Sequence, residues 1–122
     1  MKIDIHTHIL PRTWPDLDKK FDYPGFVRLE HCDKCSARMM IGDRFFREIQ
    51  DNVWNPSRRI EEMDATGVSM QALSTVPVMF SYWAKSRDAL ELCRILNDHV
   101  AEVARANPSR FAGLGTIPLQ DV

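Results

Sequence analysis

Two histidines two residues apart, His6 and His8, stand near the start of the chain in Ile3-Asp4-Ile5-His6-Thr7-His8-Ile9. On a strand, residues i and i+2 point to the same face, so both imidazoles project side by side and can reach one cation. Two imidazoles do not complete a catalytic zinc site, which takes three protein ligands and an open position. Asp4 shares their parity and could orient a ligand histidine as a second acceptor, or serve the strand's own packing. The bland alternative for the pair is two surface or packed histidines. A second cluster is Cys32-x-x-Cys35 beside His31, which is half of a structural zinc pattern. No second pair follows, and Cys93 and His99 would have to be recruited from a distant helix, so free thiols are the plainer expectation. His99 shares a helical face with Leu92, Leu96 and Val103, which predicts a packed histidine.

These side chains need a frame. Lys2 to Ile5 alternates polar and apolar residues in a β-branched run, predicting a strand of about four to six residues before Pro11. Residues 12–54 show no sustained helical period and are dotted with aromatics and charges. A connection that long needs structure of its own, so an inserted β subdomain is expected there, with Gly42-Asp43 as a hairpin turn. Asn55-Pro56 reads as a cap and a first-turn proline, and Gly67 as a stop, predicting a helix over Pro56 to Thr66. Val68, Met70 and Ala72 then lead into a second strand. A cap at Ser86 and apolar residues at 89, 92, 93, 96, 100 and 103 predict a second helix of about 20 residues, ending at Asn107-Pro108. Phe111 to Ile117 reads as a third strand. Tyr82 and Trp83 follow the second strand, where they would wall a pocket, meet a partner subunit or pack under the insertion.

Strand, insertion, helix, strand, helix, strand makes an α/β layout with parallel neighbours. In a parallel α/β barrel the carboxyl ends of the strands face the site, which is where His6 and His8 fall. A whole barrel takes about 250 residues. The 122 residues here therefore supply about three βα units of a partial TIM (β/α)8 barrel, as the N-terminal part of one domain, and leave a sheet edge unpaired.

Composition narrows the function classes. Sixteen Lys and Arg against seventeen Asp and Glu give a net charge of -1, leaving no global field to gather nucleic acid or anionic lipid. The longest apolar stretch, Val76 to Ala84, is broken by Pro77 and Ser81 and is shorter than the roughly 18 residues of a membrane span. The charged, histidine-bearing start is unlike a secretory signal. Three cysteines, an odd number, suit reduced thiols and a cytosolic setting.

Lys2-Ile-Asp-Ile-His-Thr-His-Ile-Leu-Pro11 resembles the opening of amidohydrolase-superfamily barrels. Trp14-Pro15-Asp16-Leu17, the run from Gln71 to Lys85 and the run from Arg110 to Thr116 narrow the likeness to a decarboxylase branch of that superfamily. It covers essentially the whole chain and the first third of that family's length. The resemblance implies a zinc-dependent, oxygen-independent decarboxylase of tryptophan catabolism, acting on an unstable acyclic dicarboxylate semialdehyde that otherwise closes to quinolinate. It implies Zn2+ held in part by His6 and His8, Arg47 as a substrate-carboxylate ligand, no organic cofactor and a homodimer at full length. The third histidine ligand, an aspartate ligand and a histidine acid/base belong to later strands of the family. Read on its own, Arg47 is a solvated hairpin charge. Two other functions remain open: a hydrolase of the same superfamily acting on a cyclic amide or ester, and a non-catalytic truncated product.

Overall fold

The computed structural model describes residues 1–121. Two three-stranded sheets organise them. The first contains β1 (Ile3–Ile9), β5 (Met70–Thr75) and β6 (Phe111–Gly113) in the order β1-β5-β6, with both pairings parallel. The second is an antiparallel meander of β2 (Val27–His31), β3 (Ser36–Ile41) and β4 (Arg44–Gln50). It follows the short helix α1 (Leu17–Phe21), and all of it lies between β1 and the first crossover helix. Gly42 opens the β3–β4 turn with φ +56°, the positive value that a two-residue turn of the II′ kind requires at its first central position.

The crossover helices are α2 (Pro56–Thr66) and α3 (Ser86–Ala106). Asn55 accepts from the N–H groups of Ser57 and Arg58, satisfying two of the donors that a helix start leaves free. Gly67 ends α2 in the left-handed region at φ +70°. Ser86 is the first helical residue of α3 and not its cap: the capping position falls on Lys85, whose side chain makes no cap bond. The Lys85 N–H is instead taken up by the Tyr23 hydroxyl, which itself donates to Asp88 at 2.7 Å. A residue of the insertion thus fixes the start of a helix 62 positions away.

Ala89, Leu92, Cys93, Leu96, Val100 and Val103 are the buried face of α3, matching the apolar spacing. With Met63 of α2, Val100 and Val103 pack on Ile9, Leu73 and Phe111, so both helices cover one face of the parallel sheet. A second cluster runs from Leu10, Leu92 and Leu96 into Phe26, Ala37, Met39 and Ile49, seating the antiparallel sheet on α3. The third parallel strand is shorter than its apolar pattern suggests. Pairing stops at Gly113, opposite Leu73 and two residues short of the end of β5; the Leu114 N–H still bonds the Leu73 carbonyl, and Leu114 and Ile117 are exposed.

Candidate metal centre

The uncovered face of the parallel sheet carries the imidazole pair. Thr7 and Ile9 of β1, with Leu73 and Thr75 of β5, are buried, whereas His6 is exposed and His8 half-buried. His8 pairs in register with Ser74 of β5. Between Asp4 and Thr7 the register slips by one residue, an irregularity of the bulge type. Within that stretch the Asp4 carboxylate accepts from the main-chain N–H of His6 at 3.1 Å. Asp4 therefore shapes the backbone that carries a candidate ligand and makes no bond to either imidazole ring, a correction to the ring-orienting role its parity suggested.

The His6 and His8 rings lie 5.2 Å apart, centroid to centroid, and are nearly perpendicular at 88°. Two imidazoles bound to one tetrahedral zinc, with Zn–N bonds of about 2.0–2.1 Å, hold their ring centroids about 5 Å apart. The spacing fits one shared ion. Among the described residues no third His, Cys, Asp or Glu joins them to make a three-donor group, so the pair is half of a site. Burial pulls the His8 imidazole below its ordinary basicity; the neighbouring His6 and Arg59 act in the same direction, against the Thr75 main chain. The neutral form so favoured is the one that binds a metal.

Two residues absent from the sequence reading hold this strand end. The Ser74 hydroxyl donates to the Thr7 carbonyl and contacts Nδ1 of His8. Arg59 of α2, buried, donates to the His8 carbonyl and to the Gln71 side chain. The available signals were weak: a hydroxyl residue near the end of the second strand, and a cation four residues before Met63 on the covered face of α2.

The remaining candidates lie apart. Arg47 is exposed on β4 of the antiparallel sheet, its guanidinium 5.9 Å from the Phe46 ring centroid, with no carboxylate partner among the described residues. No hydrogen bond connects it to the histidines. Cys32 and Cys35 are exposed, unpaired thiols flanking the β2–β3 turn, where the Asp33 carboxylate accepts from the Cys35 and Ser36 N–H groups. His31 donates through Nε2 to the Arg12 carbonyl, since a carbonyl only accepts and that nitrogen must carry the hydrogen. Cys93 is buried on α3, and among the described residues these groups form no cluster of three or more metal donors. His99 is half-buried on α3, as the helical face predicts. Trp83 packs on Phe26 and Tyr23 of the insertion, whereas Tyr82 stacks on Phe80 within the β5–α3 connection, and both remain partly exposed.

A parallel sheet covered by crossover helices, the layer that carries the imidazole pair, is a fold that this chain shares with solved decarboxylase structures. The chain superposes on Metarhizium anisopliae IDCase in its apo form with a TM-score of 0.72 at 16% identity, over 98% of this chain and 35% of that one. For 5-carboxyvanillate decarboxylase from Sphingomonas paucimobilis the TM-score is 0.62 at 23% identity, over 98% and 35%. In sequence the chain is similar to the 2-amino-3-carboxymuconate-6-semialdehyde decarboxylases of Dictyostelium discoideum, 56% identical over 98% of this chain, and Caenorhabditis elegans, 44% identical over 99%. It spans 33% and 30% of their lengths, about one third. No family model matches.

Proposed function

We propose that this chain is part of a zinc-dependent decarboxylase that removes carbon dioxide, without oxidation, from 2-amino-3-carboxymuconate 6-semialdehyde in the kynurenine route of tryptophan catabolism, limiting quinolinate formation. The observation that carries the reading is 56% identity across nearly the whole chain to a relative of that name, together with an imidazole pair spaced for one ion. In the same reading the parallel sheet is a sector of a (β/α)8 barrel, residues 12–54 are a subdomain inserted in it, and the whole protein is a cytosolic homodimer. The unpaired thiols of Cys32 and Cys35 suit a reducing compartment.

His6 and His8 hold the zinc together with donors from elsewhere in the whole protein. The ion, when bound, supplies Lewis acidity and makes a water acidic enough to ionise near neutral pH. Arg47 binds one substrate carboxylate; its planar fork takes that anion bidentately and leaves the other carboxylate free to depart. As that carbon–carbon bond breaks, its electron pair passes into the conjugated carbonyl system, and a proton then replaces the lost group on carbon.

The test is carbon dioxide release from the semialdehyde by the polypeptide that carries this segment. His6→Ala and His8→Ala should each abolish turnover and zinc uptake, and Arg47→Ala should raise KM at least tenfold. Ring-opening of a cyclic amide or ester with no carbon dioxide released would replace this reading by the hydrolase one.

A further inference from the structure

Ser74 stands between two groups of β1. Its hydroxyl lies 3.1 Å from the Thr7 carbonyl oxygen and 3.0 Å from Nδ1 of His8. A carbonyl oxygen accepts only, so the hydroxyl hydrogen goes to Thr7 and the Ser74 oxygen is left to accept. The bond to His8 then requires a hydrogen on Nδ1, and a neutral imidazole carrying it there has its lone pair on Nε2. The parallel register that sets His8 beside Ser74 makes this arrangement a property of the sheet and not of a mobile side chain.

We propose that Ser74 is a positioning residue that holds His8 in the Nδ1–H tautomer, so that Nε2 is presented to a divalent cation. The inference rests on the metal reading of the pair for its purpose, but the tautomer itself does not depend on metal. It also separates the two ligands. His8 is oriented in advance, whereas among the described residues no hydrogen bond holds the His6 ring, only the bond from its main-chain N–H to Asp4. A histidine ligand is ordinarily fixed by a hydrogen bond at its other nitrogen, and loss of such a partner weakens metal affinity by about 10- to 100-fold.

The experiment is 15N NMR of the histidine-labelled whole protein that carries this segment, without metal at about pH 8, where imidazole is neutral, with His8→Gln to assign the resonance and zinc alone as the titrant. The wild type should show a protonated Nδ1 and a bare Nε2 at His8. Ser74→Ala should lose that pattern and weaken zinc uptake at least tenfold, and Ser74→Thr, which keeps the hydroxyl, should restore both. A wild-type His8 protonated on Nε2, or a Ser74→Ala chain with the wild-type pattern, overturns the inference even if zinc binds. A wild-type whole protein with the expected tautomer and no zinc uptake supports the inference and overturns the metal reading. Should Ser74→Ala not fold, the wild-type tautomer alone decides.

Discussion

The buried guanidinium of Arg59 donates at 2.6 Å to the main-chain carbonyl of His8, tying helix α2 to the strand end that bears the imidazole pair. A second arm of the same group reaches the Gln71 side chain at 3.1 Å. One cation thus spans β1, β5 and α2. Arg59→Met should destabilise the chain by about 1–3 kcal/mol, because two acceptors at the covered interface lose their donor. Lysine at the position should recover only part of this, since a single ammonium does not reproduce the fork. Urea midpoints of the two variants check it, and a midpoint unchanged in Arg59→Met would show that the bridge contributes nothing.

The Asn55 cap makes a separable contribution. Its side chain serves both Ser57 and Arg58, so Asn55→Ala should cost about 1 kcal/mol, while Asn55→Asp, another good cap, should cost a few tenths at most. Thermal melts of the pair distinguish a lost cap from a general loss of packing, which would lower both.

Gly113 of β6 lies close against α3. A Cβ built there would lie 2.9 Å from Cγ1 of Val100, a short branched side chain with little freedom to move. Gly113→Ala should therefore cost about 1–3 kcal/mol through overpacking. Val100→Ala in the same chain should relieve much of that clash, so a double-mutant cycle with no coupling would contradict this account.

The pH dependence of stability should be set in part by His99. Burial lowers its basicity in the folded chain, against the opposing pull of Glu102 and the Leu10 main chain. The unfolded imidazole takes up its proton near 6.5, before the folded one does. Below that value the unfolded state binds more protons, so stability is full above about pH 6.5 and falls as pH drops through the lower, folded value. His8 is shifted the same way and adds to the effect. Denaturant midpoints between about pH 8 and 5 should fall on the acid side, with a shallower decline in His99→Gln; an identical decline would assign the effect elsewhere.

Local signals were sufficient wherever the governing interactions are themselves local. Asn55, Pro56 and Gly67 mark the limits of α2 because caps act within a turn of the residues they serve. The buried stripe of α3 is legible because a helix repeats its face every 3.6 residues. His6 and His8 share a face because strand side chains alternate. The length of β6 was not legible, since its pairing is made with a strand that lies about forty residues earlier. Nor was the start of α3, whose first free N–H is satisfied by Tyr23 from the insertion.

By itself, the order of residues determined the type of each main element, the parallel succession of strands and the common direction of two imidazoles, all consequences of periodicity and capping. Tertiary structure alone decided that Ser74 stands at Nδ1 of His8, that Arg59 grips the His8 carbonyl, and that Asp4 bonds a main-chain amide and not a ring. Each of these contacts is set by register or packing between segments distant in the chain, or by a bulge within a strand. Alternation along one strand carries no information about what the neighbouring strand or helix brings opposite it.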